Sequence, residues 1–182
     1  MPLYHINNDL RCTKTCNLIY KALASMLRSG RKKINQVTVT DLSRMSTVSR
    51  ATFYRHFDTV IDVLVWRSDL EVANAFEHMV LAKDNRLFVK LFFEYWHKYS
   101  LLLDVLVAAE RFDILLTSLE NLIGKYSYKL FVTSDLSPSR QQYKIGIWSV
   151  IIWMILKRWV AEGKKETAEE LTRIALHSLP EP

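Results

Sequence analysis

Apolar residues recur along almost the whole chain at the three- and four-residue spacing of α-helices. No alternating apolar and polar run is long enough to indicate a β-strand meander. The pattern predicts an all-α protein of about nine helices. The predicted helices span residues 9–28, 39–45, 49–57, 59–83, 86–99, 101–110, 112–129, 139–162 and 168–179. Only four glycines and four prolines interrupt the chain, which favours long helices over a fold with many turns.

Capping residues predict where several of these helices begin. A Ser or Thr followed three residues later by an acidic residue can satisfy free N–H groups at a helix start. Such pairs are Thr38 with Asp41, Thr59 with Asp62, and Thr167 with Glu170. Ser137 before Pro138 predicts a further start. The apolar stripe of the first helix is predicted to comprise Leu18, Ile19, Ala22, Leu23, Met26 and Leu27.

The short helices predicted at 39–45 and 49–57 are separated by a tight turn near residues 46–48. Two short helices joined in this way form a helix-turn-helix, a motif of DNA-binding proteins. The second helix carries the segment TVSRATFYRHF. Phe53 and Phe57 lie one helical turn apart in it, and we expect them to anchor the helix to its own domain. The other side chains of the segment then remain available to a partner.

The positive charge of the chain is concentrated near its N-terminus. The formal net charge is +6, and residues 1–60 alone hold ten Lys or Arg and three Asp or Glu, a balance of +7. A basic module attached to a near-neutral body is typical of proteins that bind polyanions. An anionic membrane is the other candidate partner, but it favours a single basic amphipathic helix with an exposed apolar face. Because the basic residues are spread over several short segments, nucleic acid is favoured.

The residue types of this segment suit contacts with DNA. Arginine pairs bidentately with guanine or clamps a phosphate, and the methyl groups of Ala51 and Thr52 match a thymine methyl. Hydroxyl groups donate to phosphate oxygens. The segment holds no carboxylate, so His56 lacks an acid to orient it for catalysis. No nucleophile motif occurs elsewhere, and we expect no enzymatic activity. The basic loop at residues 31–33 suits either a phosphate contact or a solvated surface.

The stretch VTVTDLSRMSTVSRATFYRHF, Val37 to Phe57, resembles the DNA-binding signature of TetR-type transcription regulators. That signature has a threonine-led short helix, a turn, and a recognition helix ending in Tyr-x-His-Phe. The resemblance implies a three-helix DNA-binding domain at residues 1–58 and a helical effector-binding and dimerisation domain at 59–182. The implied DNA-binding residues are Lys33, Thr38, Arg44, Thr47, Ser49, Arg50, Ala51, Thr52, Tyr54, Arg55 and His56.

Two positions depart from the signature. The family often has glycine in the turn, where this chain has Thr47, and lysine after the cap of the fourth helix, where it has Val60. The first departure predicts a slightly different turn. The second removes one phosphate contact, whose place Lys33 or Arg28 could take.

The run IGIWSVIIWMIL, Ile145 to Leu156, is apolar almost all round the helix. A helix that packs on one core needs an apolar arc of only about 100°. The helix is therefore either central in its own domain or shared with a second subunit, as the resemblance implies. Gly146 would permit a close approach. The interface residues expected from the last two helices are Ile147, Ile151, Met154, Trp159, Leu171, Ile174 and Ala175. A twofold axis would place two recognition helices roughly 34–36 Å apart, or a multiple of that distance.

Aromatic residues also line one face of the helix predicted at 86–99. Such a stripe indicates either a core or a ligand pocket. The resemblance implies an effector pocket in this body, for a small molecule that the sequence does not identify. Its expected walls are Phe92, Trp96, Tyr99, Phe112 and Trp148, and its expected polar groups are His97 and Glu110.

The resemblance implies a homodimeric, sequence-specific regulator, a repressor, that binds a palindromic operator in double-stranded DNA and whose operator affinity is modulated through the C-terminal domain. A different reading is a helical co-regulator or adaptor that acts through protein contacts without binding an operator. We expect no cofactor and no metal site, because Cys12 and Cys16 have no further ligands at metal spacing. Since the longest apolar run has 12 residues and a membrane span needs about 20, a soluble, cytoplasmic protein is expected.

Overall fold

The computed structural model describes residues 10–79, 82–130 and 137–178. These ranges form nine α-helices and no strand, which confirms the all-α prediction. The helices are α1 (Leu10–Arg28), α2 (Val39–Ser46), α3 (Arg50–Tyr54), α4 (Val60–Met79), α5 (Asn85–Lys98), α6 (Leu101–Ala108), α7 (Asp113–Leu130), α8 (Pro138–Ala161) and α9 (Ala168–Ser178). A single 3₁₀ turn, Ile34–Gln36, precedes α2.

Most helix ends lie within two residues of their predicted positions, but α3 is shorter than predicted. It ends at Tyr54 instead of Phe57 because the carbonyl of Phe53 accepts from the N–H groups of both His56 and Phe57. The chain thus closes a tight turn after Tyr54. The predicted helix ends at Asp9 and Leu179 lie outside the described residues, as do residues 80 and 81 of the predicted fourth helix.

The predicted capping pairs are present. The Thr38 hydroxyl accepts from the Asp41 N–H at 3.1 Å, and the Asp41 carboxylate accepts from the Thr38 N–H at 3.0 Å. Corresponding reciprocal bonds occur at the starts of α4 and α9. Ser137 caps α8, with Pro138 at its first position. Local hydrogen bonding therefore fixes these helix starts, as the sequence predicts.

The chain divides into two compact units. The first comprises the chain up to Ser68 together with Asp104–Ile114, and the second comprises Asp69–Leu103 and the chain from Leu115 onward. This division falls after Ser68, within α4, whereas the predicted domain boundary follows residue 58. The reason is that the first part of α4 belongs to the core of the first unit. Trp66 is buried there, with its ring centroid 6.0 Å from that of Phe57.

In the first unit, α1 packs its apolar face into the core. Ile19, Leu23 and Leu27 are buried as predicted, whereas Leu18 is 48% exposed and lies outside the buried stripe. Arg67 of α4 donates to Asn17 at 2.8 Å and lies over the Tyr20 ring at 4.9 Å. The first part of α4 is thereby fixed to α1.

In the second unit, aromatic rings of α4 and α5 pack on one another. The Phe92 ring lies 6.3 Å from Phe76, 5.5 Å from Phe93 and 6.1 Å from Trp96. Phe92, Phe93 and Trp96 are all at most 2% exposed. These distances and angles are typical of edge-to-face packing in a core. The aromatic stripe of α5 therefore forms part of the hydrophobic core.

Polar contacts fix the end of α8 and the start of α9 to α5. The Glu166 carbonyl accepts from Trp159 Nε1 at 3.0 Å and lies 2.8 Å from His97 Nε2. The His97 and Trp159 ring centroids are 4.7 Å apart, with the rings tilted by 47°. Glu169 pairs with Arg86 at 2.5 Å and with Lys90 at 3.3 Å. His97, predicted to line an effector pocket, thus has a structural role.

None of the described helices combines the length and apolar character needed to cross a bilayer. In the same ranges, no three His, Cys, Asp or Glu residues cluster as metal ligands. Burial raises the pKa of the Cys16 thiol to about 12, with a smaller contribution from Cys12.

Candidate nucleic-acid interface

The start of α2 is held by a compact charged cluster around Asp41. Its carboxylate accepts from Lys32 Nζ at 2.6 Å and from the Thr38 hydroxyl at 2.7 Å, and it lies 3.4 Å from Arg44 Nη2. The hydrogen bond from Lys32, followed by those from Thr38, holds the pKa of Asp41 well below its usual range. Lys32 of the basic loop therefore stabilises the start of α2, while Arg44 remains mostly exposed.

The turn between α2 and α3 contains a left-handed residue. Thr47 has φ 59° and ψ 18°, and its hydroxyl donates to the Ser46 carbonyl at 2.6 Å. A β-branched residue is unfavourable in this region because Cβ approaches the following carbonyl. The glycine that the signature often has at this position would adopt the conformation freely.

Thr47→Gly is therefore expected to stabilise the protein. Relief of a left-handed conformation contributes about 1–2 kcal/mol. Greater freedom of the unfolded chain offsets about 0.4–1 kcal/mol of that. We expect a net gain of about 0.5–1 kcal/mol in the free energy of unfolding, measured by chemical denaturation.

Ser25→Gly is the matched control for this substitution, because Ser25 is exposed within α1, where a right-handed conformation is required. It is expected to lose about 0.5 kcal/mol. If both glycine variants lost stability equally, the strain assigned to Thr47 would be absent.

Helix α3 is anchored by two buried phenylalanines, as predicted. Phe53 is 1% exposed and Phe57 is fully buried, with ring centroids 5.7 Å apart. Arg50, Ala51 and Arg55 of the same segment are all exposed. Tyr54 is 49% exposed, with its ring edge-on to Phe53 at 5.5 Å. Packing on one side thus leaves a polar and basic surface on the other.

Hydrogen bonds link three of the predicted contact residues. Ser49 caps α3 by accepting from the Thr52 N–H at 3.1 Å, and the two hydroxyl oxygens lie 2.9 Å apart. Arg55 Nη2 donates to Thr52 Oγ1 at 3.0 Å. In the part of the chain that the structure describes, no carboxylate pairs with Arg50 or Arg55. Both guanidinium groups keep donors available to an anionic partner.

Two predicted contact residues have surroundings that differ from those expected. His56 is only 8% exposed, because the turn after Tyr54 directs it inward, so little of its ring could reach a phosphate. Lys33 is exposed, and its Nζ lies 3.9 Å from the Glu110 carboxylate in the same unit. This ion pair is solvent-exposed and weak, so a phosphate could displace it.

The residues expected to line an effector pocket do not all belong to the second unit. Glu110 and Phe112 belong to the first unit, which corrects that part of the prediction. Phe92 and Trp96 are buried in aromatic packing. Tyr99 is half exposed, and its ring centroid lies 4.8 Å from that of Tyr95. Trp148 is partly buried.

The expected dimer residues divide between the interior and the surface. Trp159, Leu171 and Ala175 are at most 3% exposed within the chain itself, so they cannot form a surface for a partner, and the prediction is corrected there. Ile147, Met154 and Ile174 are exposed, and Ile151 is partly exposed. Tyr143 and Val150, which the sequence interpretation missed, are exposed beside them. An open groove on this face is lined by Ser139, Gln142, Tyr143, Gly146, Ile147, Val150 and Ile151.

No protein-family model and no curated protein matches this sequence. Solved structures do match. Lin0861 from Listeria innocua is 22% identical and has a TM-score of 0.74, with 96% of this chain and 93% of that chain covered. A TetR transcriptional regulator from Streptococcus agalactiae is 18% identical, with a TM-score of 0.62 and coverages of 91% and 93%. The dihydroxyacetone kinase operon activator DhaS is 19% identical, with a TM-score of 0.57 and coverages of 90% and 92%. The chain therefore shares the fold of TetR-type transcription regulators.

Proposed function

We propose that this protein is a homodimeric, sequence-specific DNA-binding transcription regulator. The observation that carries the proposal is the division of the α3 segment into a buried side and a partner-accessible side. Phe53 and Phe57 hold the helix in the first unit, while Arg50, Tyr54 and Arg55 remain exposed. The names of structural neighbours with this fold, a transcriptional regulator and an operon activator, support the same class of function.

The exposed side of α3 offers two kinds of contact with a duplex. Arg50 and Ala51, in the first turn, can read base edges, since arginine recognises guanine and a methyl group packs on thymine. Tyr54 and Arg55, at the end of the helix, can bind phosphates and fix the register. The hydrogen bond from Arg55 to Thr52 orders its guanidinium group before DNA arrives. This order reduces the entropy lost on binding.

Arg50→Ala is expected to weaken binding to the promoter region of the protein's own gene. Loss of one bidentate base contact costs about 1–3 kcal/mol, or roughly 5- to 150-fold in affinity. Tyr54→Phe, which removes only a hydroxyl, should cost less, about 0.5–1.5 kcal/mol. Fluorescence anisotropy with a labelled duplex at near-physiological salt measures both.

Arg173→Ala is the control, because it removes an exposed cation from α9 in the second unit. It should bind DNA like the unaltered protein. Equal affinities in all three variants would remove α3 from the interface. A protein that dimerises but binds no duplex would indicate the adaptor function instead.

We assign dimerisation to the exposed face of α8. Tyr143 is 73% exposed, and Ile147, Val150 and Met154 follow it at helical spacing, each more than 40% exposed. The row runs for about 16 Å along the helix. Contiguous exposed apolar surfaces of this kind are typical of protein contacts. Covering it with a second copy would pair the two DNA-binding units, as a palindromic operator requires.

We further propose that the dimer represses transcription by occupying a promoter. One structural neighbour is named an operon activator, so the fold is compatible with either direction of regulation. A reporter gene under the protein's own promoter should become more active when the protein is absent. Lower reporter activity in the absence of the protein would instead indicate that it activates transcription.

Modulation through the second unit is supported by two buried polar atoms. Trp96 Nε1 and Ser149 Oγ have no hydrogen-bond partner within the described ranges, and both residues are fully buried. A buried polar group without a partner is unfavourable, and a bound molecule that supplied a partner would relieve the cost. Each of these atoms is a position at which a bound molecule could supply the missing hydrogen-bond partner.

Ser149→Ala is expected to stabilise the free protein by about 1 kcal/mol, because it removes an unsatisfied hydroxyl and introduces a better helix former. Ser118→Ala is the matched control. Ser118 is also buried, but its hydroxyl donates to Asp69 at 2.7 Å, so its loss should destabilise the protein by about 1–3 kcal/mol. Thermal unfolding measures both. Equal losses would show that Ser149 is satisfied as well as Ser118 is.

A further inference from the structure

A basic stripe runs along α1, on the face opposite its buried residues. Lys14, Lys21 and Arg28 follow one another at intervals of seven residues, and all three are exposed. Seven residues make almost two helical turns, so the three side chains project to one side within an arc of about 40°. They cover about 21 Å of helix length. The residues between them on this face, Leu18 and Ser25, are uncharged.

Within the residues that the structure describes, no carboxylate neutralises the stripe. α1 contains no Asp or Glu. In the described ranges, none of the three cations of the stripe has an ion-pair partner. By contrast, Lys32 of the following loop pairs with Asp41 at 2.6 Å. The charges of Lys14, Lys21 and Arg28 therefore remain available to an anionic partner of similar length.

We propose that this stripe binds the phosphate backbone of duplex DNA, as a contact additional to the base-reading surface of α3. The inference rests on the proposed function, and it assigns to α1 a sequence-independent part of the affinity. Along 21 Å of duplex, one strand presents about six phosphates, enough for one to face each cation of the stripe. Each neutralised phosphate releases counterions, which is the source of the binding free energy.

Duplex DNA fits the stripe better than other polyanions do. Single-stranded nucleic acid is bound by exposed aromatic platforms, and the only aromatic residue of α1, Tyr20, is buried. An anionic membrane would require a bulky apolar face, but the apolar face of α1 lies in the core of the first unit. The same unit also carries α3, so a duplex bound there brings phosphates to this unit in any case.

The test uses the full-length protein and a labelled duplex of about 40 base pairs in random sequence, with affinity measured from about 50 to 200 mM salt. The test variant combines Lys14→Gln, Lys21→Gln and Arg28→Gln. The control variant combines Lys83→Gln, Lys98→Gln and Lys165→Gln, which removes three exposed charges from the second unit. A charge-preserving variant, Lys14→Arg with Lys21→Arg, completes the set. Circular dichroism confirms that each variant is folded.

We expect the stripe variant to bind about 10- to 100-fold more weakly at 100 mM salt. We also expect its slope of log affinity against log salt to be shallower by about 2–3. The control and the charge-preserving variant should match the unaltered protein. A slope equal to that of the control would overturn the inference while leaving the proposed function intact.

Conversely, a slope that depends on the stripe, in a protein that prefers no DNA sequence, would retain the inference and reject sequence-specific regulation. Stronger stripe-dependent binding to double-stranded RNA or to phosphatidylserine vesicles would overturn the assignment to DNA.

Discussion

Phe57→Ala is expected to destabilise the first unit by about 3–5 kcal/mol, a large share of the stability of a typical domain. The Phe57 ring is fully buried and packs on Phe53 at 5.7 Å and on Trp66 at 6.0 Å. Truncation leaves a cavity where α3 meets the start of α4. Because α3 has only five residues, these anchors hold it more than its own hydrogen bonds do. Chemical denaturation followed by circular dichroism measures the loss, and DNA affinity should fall with it.

Tyr54→Ala provides the comparison. Tyr54 is the next aromatic residue of α3 after Phe53, and about half of it is exposed. Its truncation should cost at most about 1 kcal/mol of stability, while it still weakens DNA binding. The two variants thus separate the anchoring side from the binding side. Equal stability of the two would mean that Phe57 does not anchor the helix.

Ile147→Asp combined with Met154→Asp is expected to convert the dimer to a monomer at micromolar concentration. Both side chains are about half exposed in one chain, so the substitutions cost the monomer little. In a dimer they would bury two charges per subunit without partners, on both sides of the twofold axis. Loss of a central interface residue typically costs about 2 kcal/mol or more of binding free energy. The dissociation constant of the dimer should therefore increase by at least 100-fold. Sedimentation equilibrium measures the change.

Val107→Asp is the control for that experiment, since Val107 is equally exposed but lies on α6 in the first unit. It should leave the oligomeric state unchanged. Loss of the dimer in the control alone would move the interface away from α8.

Gly146 offers a finer probe of the same interface. A Cβ at this position meets no atom within 4 Å in the chain, and the same holds at Gly124 in α7. Either glycine, replaced by alanine, should stabilise its helix by up to about 1 kcal/mol. Only Gly146→Ala should weaken the dimer, because a partner covering α8 would meet the added methyl group.

Local signals in the sequence were sufficient for much of this fold. The capping pairs and the period of apolar residues depend on neighbours three or four positions away, and both appear in the structure as predicted. The Phe53 and Phe57 anchors follow from the same spacing. His56 does not, because its burial depends on the turn after Tyr54 and not on a continuous helix.

Contacts between distant parts of the chain were not predictable in this way. Periodicity shows that Trp159 and Leu171 face something apolar, but it cannot distinguish the chain's own core from a partner's surface. Glu110 lies in the first unit because the end of α6 belongs to the same compact unit as the N-terminal helices. These segments are far apart in the sequence, so local periodicity does not predict that they belong together. The α1 stripe became visible only once the exposure of its three cations was known.

Selection from a pool of random-sequence duplexes shows whether the exposed side of α3 reads duplex DNA. The full-length protein is immobilised at about 150 mM salt, a concentration that suppresses weak phosphate binding. We expect enrichment of a palindrome whose half-sites lie about 10–10.5 base pairs apart, or a multiple of that. The Arg50→Ala variant should show a relaxed base preference at one symmetric position of each half-site. A folded dimer that enriches no sequence over the starting pool would contradict the reading of DNA by α3.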